Sequence, residues 1–110
     1  MTDRRSTIAA LNDRLRMSLN GGRVMLTLGI RALPMQTQLD VLARARSFND
    51  FSADNDPYSE HDFGAIDHAE AGRVFWKIDY YDYTLTAGSA APADPRATGR
   101  VLTIMLAQEY

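Results

Sequence analysis

Apolar residues recur at Ile8, Leu11, Leu15 and Leu19, with Asn12, Asp13, Arg14 and Arg16 between them. Steps of three and four residues place that apolar set on one side of an α-helix. The spacing predicts a helix over 6–19, with Ser6 or Thr7 as its N-cap. Asn20-Gly21-Gly22 ends it, because Asn and Gly tolerate the left-handed backbone of a C-cap. Arg23 to Ile30 has the length and branched content of a strand. Pro34 then opens a second helix, since the first helical turn needs no amide hydrogen there. Met35, Leu39, Leu42 and Phe48 form its apolar face, with Val41 and Ala45 at the margin and Arg44 and Arg46 outside.

The pattern breaks over 49–60, a polar and acidic loop that is long for a chain of this size. Alternation resumes in 61–67 and 73–82, which read as a β-hairpin turning at 68–72, with His68 solvated in the turn. In the second arm Val74, Trp76, Ile78 and Tyr80 share one face, and Phe75, Lys77, Asp79 and Tyr81 the other. The stretch 83–93 is a connection with a short strand at 84–86. Asp94-Pro95 reads as a cap and first turn, and Val101, Leu102, Met105 and Leu106 as the stripe of a third, C-terminal helix. The resulting fold class is α+β. The expected architecture is a small, three- to four-stranded, mostly antiparallel sheet with about three helices packed on one face, all in a single domain over 1–110.

Composition narrows the chemistry. The 110 residues include no cysteine, which excludes disulfides, thiolate metal sites and a cysteine nucleophile. The apolar runs are too short to span a bilayer and no signal-peptide pattern opens the chain, so a cytoplasmic protein without membrane contact is expected. Charge is divided unevenly. Residues 1–46 carry eight arginines against three acids, and residues 47–110 carry four bases against eleven acids. An acidic pI near 5.5 argues against direct nucleic-acid binding.

Four stretches resemble a bacterial domain-of-unknown-function family, number 3768. They are Asp54-Asn55-Asp56-Pro57, Glu60-His61-Asp62-Phe63-Gly64, the run from Trp76 to Asp82, and the run from Arg100 to Ala107. The pattern Ile8 to Asp13 and Gly21-Gly22-Arg23-Val24 are similar to it too. Ser59 departs from the glycine expected between the tyrosine and the glutamate. The resemblance implies a compact cytoplasmic accessory protein of the sort carried on plasmids and other mobile elements. It supplies no chemistry.

The residues themselves offer three candidate sites, of which one, phosphate contact by Arg4, Arg5, Arg14, Arg16, Arg23, Arg44 and Arg46, is disfavoured by the acidic pI, these arginines being expected to pair with the acidic half instead. Of the other two, the first is Glu60, His61 and Asp62 with Asp79 and Asp82: if the strands pair, His61 and Asp79 would share the face opposite Trp76, with Lys77 and Tyr81 nearby, and an imidazole among carboxylates suits a metal or acid–base chemistry. No recognised metal spacing is present, and Lys77 in their midst would repel a cation, so no catalytic residue, metal ligand or cofactor is assigned. The second candidate is a protein-binding surface made of Asp54, Asp56, Tyr58, Glu60, His61, Asp62, Asp79, Tyr81 and Asp82. Tyrosine among carboxylates buries contact area at small entropic cost, and spaced carboxylates can imitate nucleic-acid phosphates in a basic groove. The leading expectation is a non-enzymatic module that binds a protein partner, with inhibition of a nucleic-acid enzyme as its most concrete form. A small metal-dependent hydrolase or nuclease, and a structural homodimer joined through a strand edge, are the alternatives.

Overall fold

The computed structural model describes residues 3–110. Helix α1 spans Arg4–Ser18, strand β1 Arg23–Leu26, the short helix α2 Leu28–Arg31, and helix α3 Met35–Arg46. Strands β2 (Phe63–His68), β3 (Gly72–Asp82) and β4 (Thr98–Leu106) follow, and a 3₁₀ turn at Ala107–Glu109 closes the chain. The strands form one four-stranded sheet in the order β1-β4-β3-β2. β2–β3 and β3–β4 are antiparallel, and β1–β4 is parallel. The fold is therefore α+β with a mixed sheet.

Side-chain alternation assigns the two faces. Val74, Trp76 and Ile78 of β3 meet Leu102 and Ile104 of β4 and Ile66 of β2 beneath the helices. Leu15 of α1, Ile30 of α2 and Val41 and Ala45 of α3 complete this core. Trp76, Leu15, Ile30, Val41, Leu102 and Ile104 are fully buried. Gly64 lies directly across from Trp76, and a β-carbon there would meet the indole nitrogen. The absence of a side chain is what lets the indole of the largest core residue approach β2 this closely.

Several sequence expectations are corrected. The C-terminal helix is strand β4. Its burial alternates, with Arg100, Leu102 and Ile104 buried and Val101 and Thr103 half-buried, but apolar residues occupy both faces of the run from Val101 to Leu106, so the sequence shows no period of two and imitates a helix stripe. The strand expected over 23–30 stops at Leu26, and α2 takes over. The Glu109 carboxylate accepts from Thr27 Oγ1 at 2.6 Å and Gly29 N at 2.9 Å, satisfying the exposed amide end of α2. Helix α1 begins earlier than expected, because Asp3 caps it by accepting from Ser6 N at 2.8 Å. It ends at Leu19, itself left-handed with φ of 62°, one residue before the Asn-Gly-Gly stop. Helix α3 is rotated from expectation. Val41 and Ala45 are buried, while Met35 and Leu39 are 66% and 53% exposed. Residues 84–86 are not a strand but part of a turn that Asp82 caps, and Tyr81 instead bridges to Gly88.

Candidate functional site

The loop over 49–62 has no regular structure, yet it is tied down along its length. Asn55 Oδ1 accepts from Ser52 N at 2.8 Å, and Asn55 Nδ2 donates to the Asp50 carbonyl at 2.7 Å. Asp56 is buried, and its Oδ1 accepts from the amides of Glu60 and His61, both at 3.2 Å. Phe51 enters the core edge, where its ring packs edge-on to Phe48 and Trp76 and stacks flat on His61 at 3.9 Å. Ser59 and His61 both hold positive φ, 55° and 56°, in the region that non-glycine residues seldom enter. The expected glycine at position 59 fits this geometry, because glycine enters that region without steric cost.

His61 anchors the loop to α1. Its Nδ1 lies 3.0 Å from Asp13 Oδ1, and its Nε2 lies 3.6 Å from Asp56 Oδ2. Asp13 in turn accepts from Arg16 Nη2 at 2.9 Å. The Arg16 side chain is buried, and its Nη1 donates to the carbonyls of Ala45, Arg46 and Phe48 at 3.1, 3.0 and 2.7 Å. Those carbonyls are at the C-terminal end of α3, where helical partners run out and a cation is favoured. The guanidinium also lies over the rings of Phe51 and Trp76, 5.4 and 5.1 Å from their centroids. One arginine thus joins α1, the end of α3 and the start of the loop. An open cleft of about 440 Å³ lies beside it, lined by Asp13, Met17, Phe48, Phe51 and His61 among others.

A second polar cluster lies under Glu60. Asn12 Nδ2 donates to the Glu60 carbonyl at 2.9 Å and to Tyr80 Oη at 2.8 Å, and Tyr80 donates to Glu60 Oε2 at 3.0 Å. Arg100 is buried against the Tyr80 ring and donates to Asn12 Oδ1 at 2.9 Å and to the Pro92 carbonyl. Burial raises the Tyr80 phenol well above its usual range and lowers Arg100. Burial, with the negative charge of Glu60 beside it, also raises the carboxyl of Asp62.

The nine candidate residues do not gather on one surface. Asp54 and Tyr58 stand exposed on the loop, and Asp56, Glu60, His61 and Asp62 form its anchored base. Asp79 and Tyr81 are on the opposite face of the sheet, where Asp79 pairs with Lys77 at 2.9 Å. That hydrogen bond raises the Lys77 ammonium. Asp82 accepts from Thr86 N at 3.0 Å and Thr84 Oγ1 at 2.9 Å, which lowers its carboxyl. The expectation that His61 and Asp79 share a face is corrected. The left-handed turn at His61 sends its ring toward α1 before β2 begins. His68 is corrected too. It is buried, its Nδ1 accepts from the amides of Glu70 and Ala71, and its Nε2 therefore carries the proton given to Asp40 at 2.6 Å.

Asn12, Asp13, Arg16, Asp40 and Arg100 build these clusters and were absent from the sequence-based set. Asn12 and Arg16 carried a readable signal. With Ile8, Leu15 and Leu19 they fall on one arc of a 3.6-residue helix, so two polar residues occupy the buried stripe. Among the described residues, no three histidine, aspartate or glutamate side chains converge as a metal site requires. No helix there is long and apolar enough to cross a membrane.

No curated protein and no solved structure matches the chain. The model of the family described as "Protein of unknown function (DUF3768)" matches residues 26–109, which contain α2, α3, the anchored loop and strands β2 to β4, and the chain belongs to that family.

Proposed function

We propose that this protein is a non-enzymatic module that binds a protein partner through the crest of the 49–62 loop. The observation that supports this reading is the contrast within the loop. Its base is fastened by Asp56, Phe51 and His61, while Tyr58 at its crest is 66% exposed and Asp54 stands free of the core. A long irregular loop held in one shape loses little entropy on association, so its exposed tyrosine and carboxylates are ready for contact. The eleven acids of residues 47–110 against four bases favour a basic partner. A phosphate-binding groove of a nucleic-acid enzyme is a basic surface of this kind, and stoichiometric inhibition is the activity it implies.

The test places a photo-crosslinking amino acid at Tyr58 and, separately, at Leu28, which is 80% exposed on α2. Crosslinking in the cells that carry the protein should give a discrete adduct from position 58 and none from position 28. Asp54→Lys should remove that adduct without changing the melting temperature. Equal labelling from both positions, or an adduct indifferent to Asp54→Lys, sinks the reading.

A further inference from the structure

Strand β2 ends the sheet, and its register states which backbone groups are free. Ile78 N donates to the Asp62 carbonyl at 2.8 Å, so residues 62 and 78 form a hydrogen-bonded pair. Pairing continues as Gly64 with Trp76, Ile66 with Val74 and His68 with Gly72. In an antiparallel ladder the intervening residues turn their N–H and C=O groups the other way. Those of Phe63, Ala65 and Asp67 therefore point away from β3, and no partner for them exists among the described residues. Beside this edge runs a groove of about 390 Å³. Phe63, Ala65 and Phe75 of the sheet line it on one side, and Phe48, just past α3, with Asp50 and Asn55 of the loop on the other. Phe63 and Phe75 pack 5.1 Å apart, and the exposed Tyr110 ring lies against both.

We infer that the protein partner docks here as a fifth strand, an extended segment in which apolar and basic residues alternate. This deepens the binding function proposed above and rests on it. A strand added to β2 would satisfy the six free backbone groups, and every second side chain would turn into the groove. The aromatic side of the groove suits an apolar residue. Asp50 and Asp67 flank the groove, and its one base, Arg73, already pairs with Asp67 at 3.1 Å. The uncompensated carboxylate selects a lysine or arginine, in keeping with the basic partner argued from the loop.

The probe is a blocked heptapeptide alternating valine and lysine, added to the full chain at millimolar concentration. Amide exchange is read residue by residue by NMR. Exchange at Phe63, Ala65 and Asp67 should slow about tenfold or more with this peptide and much less with a valine–glutamate counterpart. Ala65→Pro should abolish the effect, because it removes an outward amide that β3 does not use and blocks the edge. Retained protection at Gly64 and Ile66 shows that this variant is folded. Asp50→Lys supplies an independent loss that leaves the backbone untouched. Unchanged exchange at the three amides, or slowing that survives Ala65→Pro, overturns the inference. Slowing that grows with protein concentration in the absence of peptide overturns it in favour of a second copy of the chain. Failure at the edge with position-58 crosslinks intact sinks this inference alone, and the reverse pattern sinks the loop reading alone.

Discussion

Replacing Arg16 by methionine removes one side chain and leaves several groups short of partners. Three carbonyls at the end of α3 lose their shared donor, and Asp13 loses the cation that holds it beside His61. A hydrogen bond to a charged group contributes about 1.5–3 kcal/mol, and a buried acceptor left alone costs about 1–3 kcal/mol. Only the Ala45 contact is fully buried, so the other two carbonyls recover water. Methionine also relieves the burial of Arg16 Nε, which has no partner. The net loss should be about 3 kcal/mol, within the range seen when one member of a buried charged network is removed. At about 2.1 cal/mol/K per residue, unfolding 110 residues carries an entropy of about 0.23 kcal/mol/K, so the melting temperature should fall by about 13 °C. Calorimetry and urea unfolding at pH 7 measure this directly. Arg16→Lys should be only slightly better, because one ammonium cannot span three carbonyls and Asp13 together. A fall of less than about 4 °C for Arg16→Met would mean that the guanidinium does not hold α1, α3 and the loop together.

Gly64→Ala forces a methyl against the buried Trp76 indole and Phe48, and should cost about 2 kcal/mol in urea unfolding, with an altered tryptophan emission spectrum. Asp62 has a carboxyl raised above its unfolded value, so its contribution is favourable below the unfolded pKa and is lost as pH rises through the folded one. Asp62→Asn should therefore raise stability at pH 7 by about 0.5 kcal/mol after solvent screening, and a gain of equal size at pH 3 would refute the argument. Glu109 is shifted the other way, chiefly by the hydrogen bond from Thr27 Oγ1. Its contribution is present above the unfolded carboxylate pKa and is lost as pH falls through the folded one, so Glu109→Gln should lower the melting temperature at pH 7 and converge on wild type in acid.

Residue pattern alone made the local elements legible. The spacing of Ile8, Leu11 and Leu15 marked α1, Pro34 marked the start of α3, and strict alternation from Val74 to Tyr80 marked β3 and its buried face. Each of these elements has one wet side, and the contrast between wet and dry positions carries a period. β4 alternates in burial too, but apolar residues sit on its half-buried face as well as its buried one, so the run from Val101 to Leu106 passed for a helix. The helical arc of α1 already set Asn12 and Arg16 among its apolar residues, but only long-range packing supplied the partners that satisfy them. The end of α3 and the Glu60 carbonyl come from distant parts of the chain to meet them. The same holds for His61. Its sequence neighbours Glu60 and Asp62 suggested a strand site beside Asp79, but the left-handed turn and the carboxylate of Asp13, 48 residues away, settle its ring on α1. A free charge in solution and a charge satisfied across the fold are the same letter in the sequence, and only long-range contact separates them.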